Sequence, residues 1–392
     1  MKATVSAATE VRAHARWSAG RRRVPLAWRQ LGSDRAKLAA TLAVVGAACA
    51  LVLLLVGLRQ GIAQQVSVYL DHQPAPSVLV ARKGTQNFLL GRTSVLPLTV
   101  GDRVRNVPGV ERVIPVANEY AMLDLHGRKV LALLIGYDPA AGGGPWRIVA
   151  GRAPAATGEL AVDRTLAADH GLRVGDALAL RGSAFRIVGL TGGTSAWMTP
   201  LVFATLDSVN GLDRAPRTAT AFLVVPRPGV GAETLSRRIA QGVPSVAAHP
   251  SATVARNDRR LWMSVFDGPL LLMVGIGGAV AVLVIGLAVY TSTVDRAREY
   301  AALAAIGLSR RGLLRIVVVQ AILVALGGVA VGIVLAVAAG RLVGRLAPRY
   351  LIVIDPRPAA LLALAAIVMA LVAATVPARF LSRLDPALAL RR

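Results

Sequence analysis

Four stretches of the chain, 38–58, 268–294, 316–340 and 358–378, contain no Asp, Glu, Lys, Arg or His. A helix that crosses a bilayer needs about 20 consecutive apolar residues, and a buried helix of a water-soluble protein rarely goes so far without a charge. The pattern therefore predicts four transmembrane helices. The first begins after 37 residues and exceeds the roughly 7–15-residue apolar core of a cleaved leader. It reads as an uncleaved signal anchor.

Between the first two spans the pattern changes to short blocks. "PSVLVARKG" and "VLALLIGYDP" read as strands, and "VPGVERVIPV" as a turn entering a strand. "TGELAVDRTLAADHGLRVGDALAL" reads as strand, short helix, glycine stop and strand, and "RGSAFRIVGL" as a hairpin with Gly182 and Ser183 near its turn. "ETLSRRIAQGV" predicts a helix ended by Gly242, and 251–267 a helix that continues into the second span. The fold class is thus an α-helical membrane protein with four transmembrane helices and a large α+β extracytoplasmic domain between helices 1 and 2.

The expected organisation follows: a basic cytoplasmic tail with an interfacial helix (1–37), helix 1 (38–58), the α+β domain (59–267), helix 2 (268–294), a coupling loop (295–315), helix 3 (316–340), a short outer loop (341–357), helix 4 (358–378) and a cytoplasmic tail (379–392). In the tail, "LAWRQLGSDRAKL" places Trp28 where a headgroup-level aromatic would sit. In the third span Gly328, Gly332, Ala336 and Gly340 fall four apart. Such a stripe lets two helix backbones approach closely.

Charge sets the orientation. The tail 1–37, the loop 295–315 and the tail 379–392 hold 18 Lys and Arg in 72 residues, against 27 in the 226 residues of the opposite side. By the positive-inside rule both termini and the 295–315 loop are cytoplasmic. Arg341, Arg345, Arg349 and Arg357 in the short outer loop run against the rule. The net charge of +24 is mostly topogenic, because 59–267 mixes 23 basic with 15 acidic residues. It does not call for nucleic acid; the basic tail suits anionic membrane lipid. A mean hydropathy of +0.57 agrees with a membrane protein, and the single cysteine, Cys49, excludes a disulfide framework within one chain.

Little else in the chain points to chemistry. Lys2, Lys37, Lys83 and Lys129 are the only lysines and none follows a glycine, so the phosphate-binding G-x-x-x-x-G-K-[ST] loop is absent. His14, His72, His126, His170 and His249 lie far apart without metal-ligand spacing, and His170 reads as a solvated residue at a helix end. Ser183 and Ser195 lack the G-x-S-x-G elbow. "AAGGGPW" and "TGGT" read as flexible loops. With no ionisable residue in the spans, ion-coupled transport is disfavoured. No catalytic, cofactor or metal site is expected on this chain.

The stretch "REYAALAAIGLSRRGLLR", 298–315, carries more than a turn needs. In a helix, Glu299, Leu303 and Ile306 recur at spacings of four and three and share a face. Gly307 suits a left-handed helix stop, and Ser309 can cap the following helix. From the residues alone, this short amphipathic helix either seats in a partner's groove or lies on lipid.

The block "TVDRAREYAALAAIGLSRRGLLRIVVVQAILVALGGVAVGIVLA" (293–336) resembles the signature of the FtsX-like (MacB-type) permeases of ABC systems. "ARFLSRLDPALALRR" (378–392) is similar to their C-terminal end, and "VPGVERVIPV", "GELAVDRTLAADHGLRVGDALAL" and "FRIVGL" look like their outer core domain. The N-terminal "LAWRQL" with "LRQG" resembles the DevC-like branch. The resemblance covers roughly residues 25 to 392.

It implies a separate ABC ATP-binding subunit, in two copies carrying ATP and Mg, serving two copies of this permease in a bacterial inner or plasma membrane. It implies mechanotransmission, in which ATP-driven motion reshapes the outer domain. The expected function is export or extraction of a lipid, lipoprotein, peptide or drug-like substrate, with an adaptor on the outer side. The alternative is a non-transporting transducer that regulates an envelope hydrolase. The resemblance also favours the docking reading of the loop, with Glu299, Tyr300, Leu303, Ile306, Gly307 and Arg310 as the surface for the ATPase subunit.

Overall fold

The computed structural model describes residues 35–90, 94–125, 127–196, 199–213, 217–306, 308–347 and 349–381. The chain starts with α1 (Arg35–Val66) and the short α2 (Val68–Asp71), followed by β1 (Val78–Arg82), β2 (Leu96–Pro97) and α3 (Leu98–Arg105). The hairpin of β3 (Val110–Leu125) and β4 (Arg128–Tyr137) leads to β5 (Ile148–Gly151), β6 (Glu159–Asp163) and α4 (Arg164–His170). Then come β7 (Ala177–Leu180), β8 (Ser183–Thr191), β9 (Ser195–Ala196), β10 (Thr199–Thr205) and α5 (Leu206–Asp213). β11 (Thr218–Ala219), β12 (Ala221–Pro226), α6 (Ala232–Gly242) and β13 (Val246–Pro250) complete the sheet-forming segment. The chain closes with α7 (Ser251–Asp295), α8 (Ala297–Ala305), α9 (Arg310–Leu346) and α10 (Pro356–Leu381). The expected interfacial helix before the first span and the C-terminal end of the family block lie outside the described residues.

Four helices, within α1, α7, α9 and α10, are long and apolar enough to cross a membrane. Three of them run well past their apolar stretch. α1 continues past residue 58 to Val66, α9 runs from Arg310 to Leu346, and α7 starts at Ser251, so its 45 residues extend about 67 Å at 1.5 Å per residue. The chain divides into a helix unit (Met1–Leu53, Val274–Ala338, Ile354–Arg392) and a sheet unit (Leu54–Met273, Ala339–Val353).

The sheet unit is built on a mixed sheet of order β13-β1-β12-β3-β4-β10-β6-β8-β5, with β7 on β8 and β9 on β10. β10 runs parallel to β4, and β6 parallel to β8. Alternation along the strands sends side chains to two faces. Leu133, Ile135 and Phe203 join Tyr69 and Val254 in one cluster, while Leu134, Val162 and Val202 join Leu166 and Val209 in another. A two-residue turn links β7 to β8, with Arg181 at φ 47 and Gly182 at φ 82, the two positive values that a type I′ hairpin turn requires. α4 opens on Asp163, whose carboxylate accepts from the Thr165 N–H at 2.9 Å, and stops at Gly171 in the left-handed region, φ 69.

Both glycine-rich segments are pinned rather than free. Thr191 and Thr194 are fully buried, and the Thr194 hydroxyl donates to Asp163 Oδ2 at 2.7 Å. The Gly143 carbonyl accepts from the Tyr69 hydroxyl at 2.8 Å, and Trp146 stacks on His72 with centroids 4.4 Å apart. Composition alone suggested flexibility; the polar side chains that fix these turns are distant in sequence.

Several contacts within the sheet unit tie α1, α7 and the 339–353 segment together. Arg59 makes a two-pronged ion pair with Asp267, at 2.8 and 3.0 Å. The Val353 N–H donates to Gly57 O at 3.0 Å, and a Cβ at Gly61 would collide with the Leu351 carbonyl. Arg349 reaches Asp169 of α4 at 2.8 Å. One of the four arginines that disobey the charge rule thus answers a carboxylate of its own fold.

Candidate functional site

In the helix unit, α9 packs on α1 through small residues. A Cβ on Gly328 would collide with the Val45 side chain, and one on Gly332 would lie 2.7 Å from Cys49 Cβ and 3.0 Å from the Gly46 carbonyl. The fit is reciprocal, because a Cβ on Gly46 would come within 2.6 Å of Val331 Cγ1. Ala336, next in the stripe, is fully buried. Gly340, its last member, is half-buried and belongs to the sheet unit. The partner of Gly328 and Gly332 is a helix of the same chain.

The α7–α8–α9 turn is built from local hydrogen bonds. Arg296 N–H reaches Thr293 O at 3.3 Å where α7 ends, and Tyr300 N–H returns to Arg296 O at 3.1 Å to start α8. The far end is closed by Leu308 N–H on Leu303 O at 3.1 Å. Ser309 Oγ accepts from the Gly312 N–H at 3.3 Å, the cap expected before the third span. Of the six residues proposed from sequence for ATPase docking, Gly307 lies outside the described residues, and only the helical backbone is described for Arg310.

The remaining four separate into two groups. Tyr300 is 1% exposed. Its hydroxyl donates to Gln320 Oε1 at 2.8 Å, and Gln320 Nε2 donates to Ser292 Oγ at 3.2 Å. This chain of bonds joins α8, α9 and α7. Leu303 is half-buried against the same cluster. Burial pushes the Tyr300 phenol up from its ordinary value, so it stays a neutral donor at physiological pH. Glu299 is exposed, and Ile306 is 84% exposed. Spacing placed Glu299, Leu303 and Ile306 on one face; in the fold Leu303 turns partly inward while the other two stay out.

Gln320 was missed from sequence. The signal was present, because a lone glutamine in an otherwise apolar span needs an internal partner where no water reaches. Beside α8 lies a cleft of about 330 Å³ lined by Lys37, Thr41, Asp295, Arg296 and Glu299. Lys37 and Asp295 approach to 3.9 Å across it, an exposed pair that contributes little. Among the described residues no group of His, Cys, Asp and Glu could hold a metal ion. Chemically, α8 offers an exposed carboxylate on a helix anchored from behind, and Ile306, one residue past its end, adds an exposed apolar side chain.

The chain is similar to known proteins over most of its length. The family profile of the MacB-like periplasmic core domain matches residues 38–241, and that of the FtsX-like permease C-terminal region matches 271–386. An uncharacterized ABC transporter permease of Mycobacterium bovis is 27% identical over 290 residues, covering 73% of this chain and 77% of that protein. One of Mycobacterium tuberculosis is 26% identical over 311 residues, covering 79% and 84%. Among solved structures, the periplasmic region of MacB from Actinobacillus actinomycetemcomitans gives a TM-score of 0.36 at 11% identity, over 48% of this chain and 94% of that one. The extracellular domain of the transporter YknZ from Gram-positive bacteria gives 0.35 at 8%, over 44% and 98%. With one profile covering more than half of its length and the other nearly all of its last three apolar helices, the chain belongs to the FtsX-like, MacB-type family of ABC transporter permeases.

Proposed function

We propose that this multi-pass permease is driven by a separate ATP-binding subunit seated on α8, and that the motion is passed to the sheet unit. The 392 residues hold no phosphate-binding loop, and the proposal assigns ATP binding to a separate subunit. The observation that carries the reading is the division of α8. Its Tyr300 side is fixed to α7 and α9 through Gln320 and Ser292, while Glu299 and Ile306 remain outside. A push on the exposed side is therefore delivered to the helices rather than absorbed by a loose turn. α1, α7 and α9 each supply residues to both units, which gives such a push a continuous backbone to follow. Two copies of the chain, both termini in the cytoplasm, and export of an apolar or amphipathic substrate complete the proposal.

Pull-down of the tagged chain tests it. An ATP-binding protein should co-purify with the wild type. Ile306→Asp and Glu299→Lys, both at exposed positions, should lower its recovery at least about tenfold, the effect of burying one uncompensated charge in an interface. Tyr300→Phe keeps the exposed side unchanged and should keep the partner. Equal recovery from Ile306→Asp and Glu299→Lys would remove α8 as the seat.

A further inference from the structure

The sheet unit contains a cleft of about 630 Å³, within the roughly 300–1,000 Å³ typical of ligand sites. One wall is the end of α1 and α2, another the start of α4, and the third the segment from Gly340 to Ile352. Gly340 is the last residue of an apolar run and Leu58 the last of another, so the cleft begins where two spans end.

Its chemistry is two-sided. Val68, Leu351 and Ile352 give an apolar floor, and Arg164 and His72 stand exposed at the rim. The rim carboxylate, Asp71, is engaged by Arg259 at 3.4 Å and by the Ser67 hydroxyl at 2.6 Å, which leaves the balance of the rim positive. Gln65 is 5% exposed. Its Nε2 donates to Ser195 O at 3.3 Å and Arg349 O at 3.0 Å. Two carbonyl acceptors fix which end of the amide is nitrogen, and Oε1 is left without a donor among the described residues. Gly344, also on the wall, continues the four-residue spacing of the glycine stripe. A Cβ there meets nothing within 4 Å. Helix packing explains Gly328 and Gly332; it does not explain Gly344, which borders open space.

We propose that this cleft binds an anionic amphiphile whose head carries a hydroxyl donor, of the glycerophospholipid type. Its phosphate lies at Arg164, its chain covers Val68, Leu351 and Ile352, and its head hydroxyl serves Gln65. A buried acceptor without a donor costs about as much as a lost hydrogen bond, so a ligand that supplies one is favoured over one that does not. The assignment rests on the permease reading only in naming this ligand as cargo; the binding itself needs no ATP-binding subunit.

The test is a titration of the purified full chain in neutral detergent with fluorescent phosphatidylglycerol, fluorescent phosphatidylcholine, and unlabelled glycerol 3-phosphate as competitor. Phosphatidylglycerol should bind about tenfold more tightly than phosphatidylcholine, and Arg164→Glu should erase that preference. Gly344→Phe, placed where a side chain has room, should abolish saturable binding while leaving the melting temperature unchanged. Gln65→Met, which also releases the Ser195 and Arg349 carbonyls, should weaken binding by about tenfold, and Gly344→Phe decides the matter if that variant fails to fold. Displacement of the bound lipid by glycerol 3-phosphate assigns the site to a free head and overturns the amphiphile; no displacement by it supports the amphiphile. Equal binding by wild type and Gly344→Phe, or equal affinity for the two lipids, overturns the proposal. Lost lipid binding with the ATP-binding subunit still co-purifying removes this site alone. Retained lipid binding without that subunit removes the α8 reading alone.

Discussion

The two units are held together by different forces. In the sheet unit, apolar side chains such as Leu133, Phe203 and Val162 leave water for buried clusters on the faces of the sheet. In the helix unit Leu283, Leu287, Val334 and Leu361 are 63 to 71% exposed, as suits surfaces that meet lipid. Lipid tails are as apolar as leucine, so burial of such side chains drives no association between helices in a bilayer. Close backbone approach and interhelical hydrogen bonds do. Here they are supplied by Gly328 and Gly332 against α1, and by Tyr300–Gln320–Ser292 across α8, α9 and α7. A substitution should therefore be judged by different criteria in each unit: added volume at a helix contact or a broken interhelical hydrogen bond in the helix unit, and lost burial or an unmet buried donor in the sheet unit.

The largest effect expected from this contrast is at Gly332. Gly332→Leu forces side-chain atoms into Cys49 and the Gly46 carbonyl, and overpacking of this kind costs about 1–3 kcal/mol or more. Its melting temperature in detergent should fall by about 10 °C or the chain should fail to purify. Gly344→Leu, with the same added volume twelve residues further along α9, should melt with the wild type. If both variants behave alike, small-residue packing is not what holds the helix unit.

A smaller effect is expected at Asp258 on the sheet-unit part of α7. Its carboxylate is fully buried and accepts from the Phe88 N–H at 3.1 Å and the Leu89 N–H at 3.3 Å. Asp258→Ala leaves two buried donors unmet and should cost about 2–3 kcal/mol, read as a lower melting temperature of the full chain and faster proteolysis near Phe88.

The smallest effect concerns Glu159. Hydrogen bonding to the Arg152 guanidinium, helped by the Ala155 and Ala156 amides, holds its carboxyl down at about 2. A folded value below the unfolded one means that this group stabilises the fold above about pH 4.3. That contribution is lost as pH falls from there through about 2. The group lies near the surface, so solvent screening keeps the effect modest. Melting curves between pH 6 and 3 should lose less stability in Glu159→Gln than in wild type; parallel curves would exclude the pair as a contributor.

How far the sequence reaches differs between the same regions. Runs without charge announce the four long helices, because a bilayer tolerates little else. Strand alternation, the turn before Ser183 and the helix stop at Gly171 are local events and were legible. Strand order was not, since β10 lies between β4 and β6 through pairings set by distant residues. Spacing grouped Glu299, Leu303 and Ile306, yet it could not say that Tyr300 points inward, because Gln320 that receives it is 20 residues away. The glycine stripe was visible as a repeat. Its two uses, contact at Gly328 and Gly332 and open space at Gly344, depend on what faces the helix at each level. Arg349 looked like a breach of the charge rule until Asp169 was placed beside it.

In this reading α8 is held on its Tyr300 side, and the ATP-binding subunit grips its outer side together with Ile306, just past its end. A photo-crosslinking amino acid placed singly at 300, 303 or 306 in the full chain, co-expressed with its ATP-binding subunit, tests this directly. A crosslinked band is expected from position 306 and none from position 300, with 303 between them. A band from 300 as strong as that from 306, or none from 306 while the two proteins still co-purify, would contradict it.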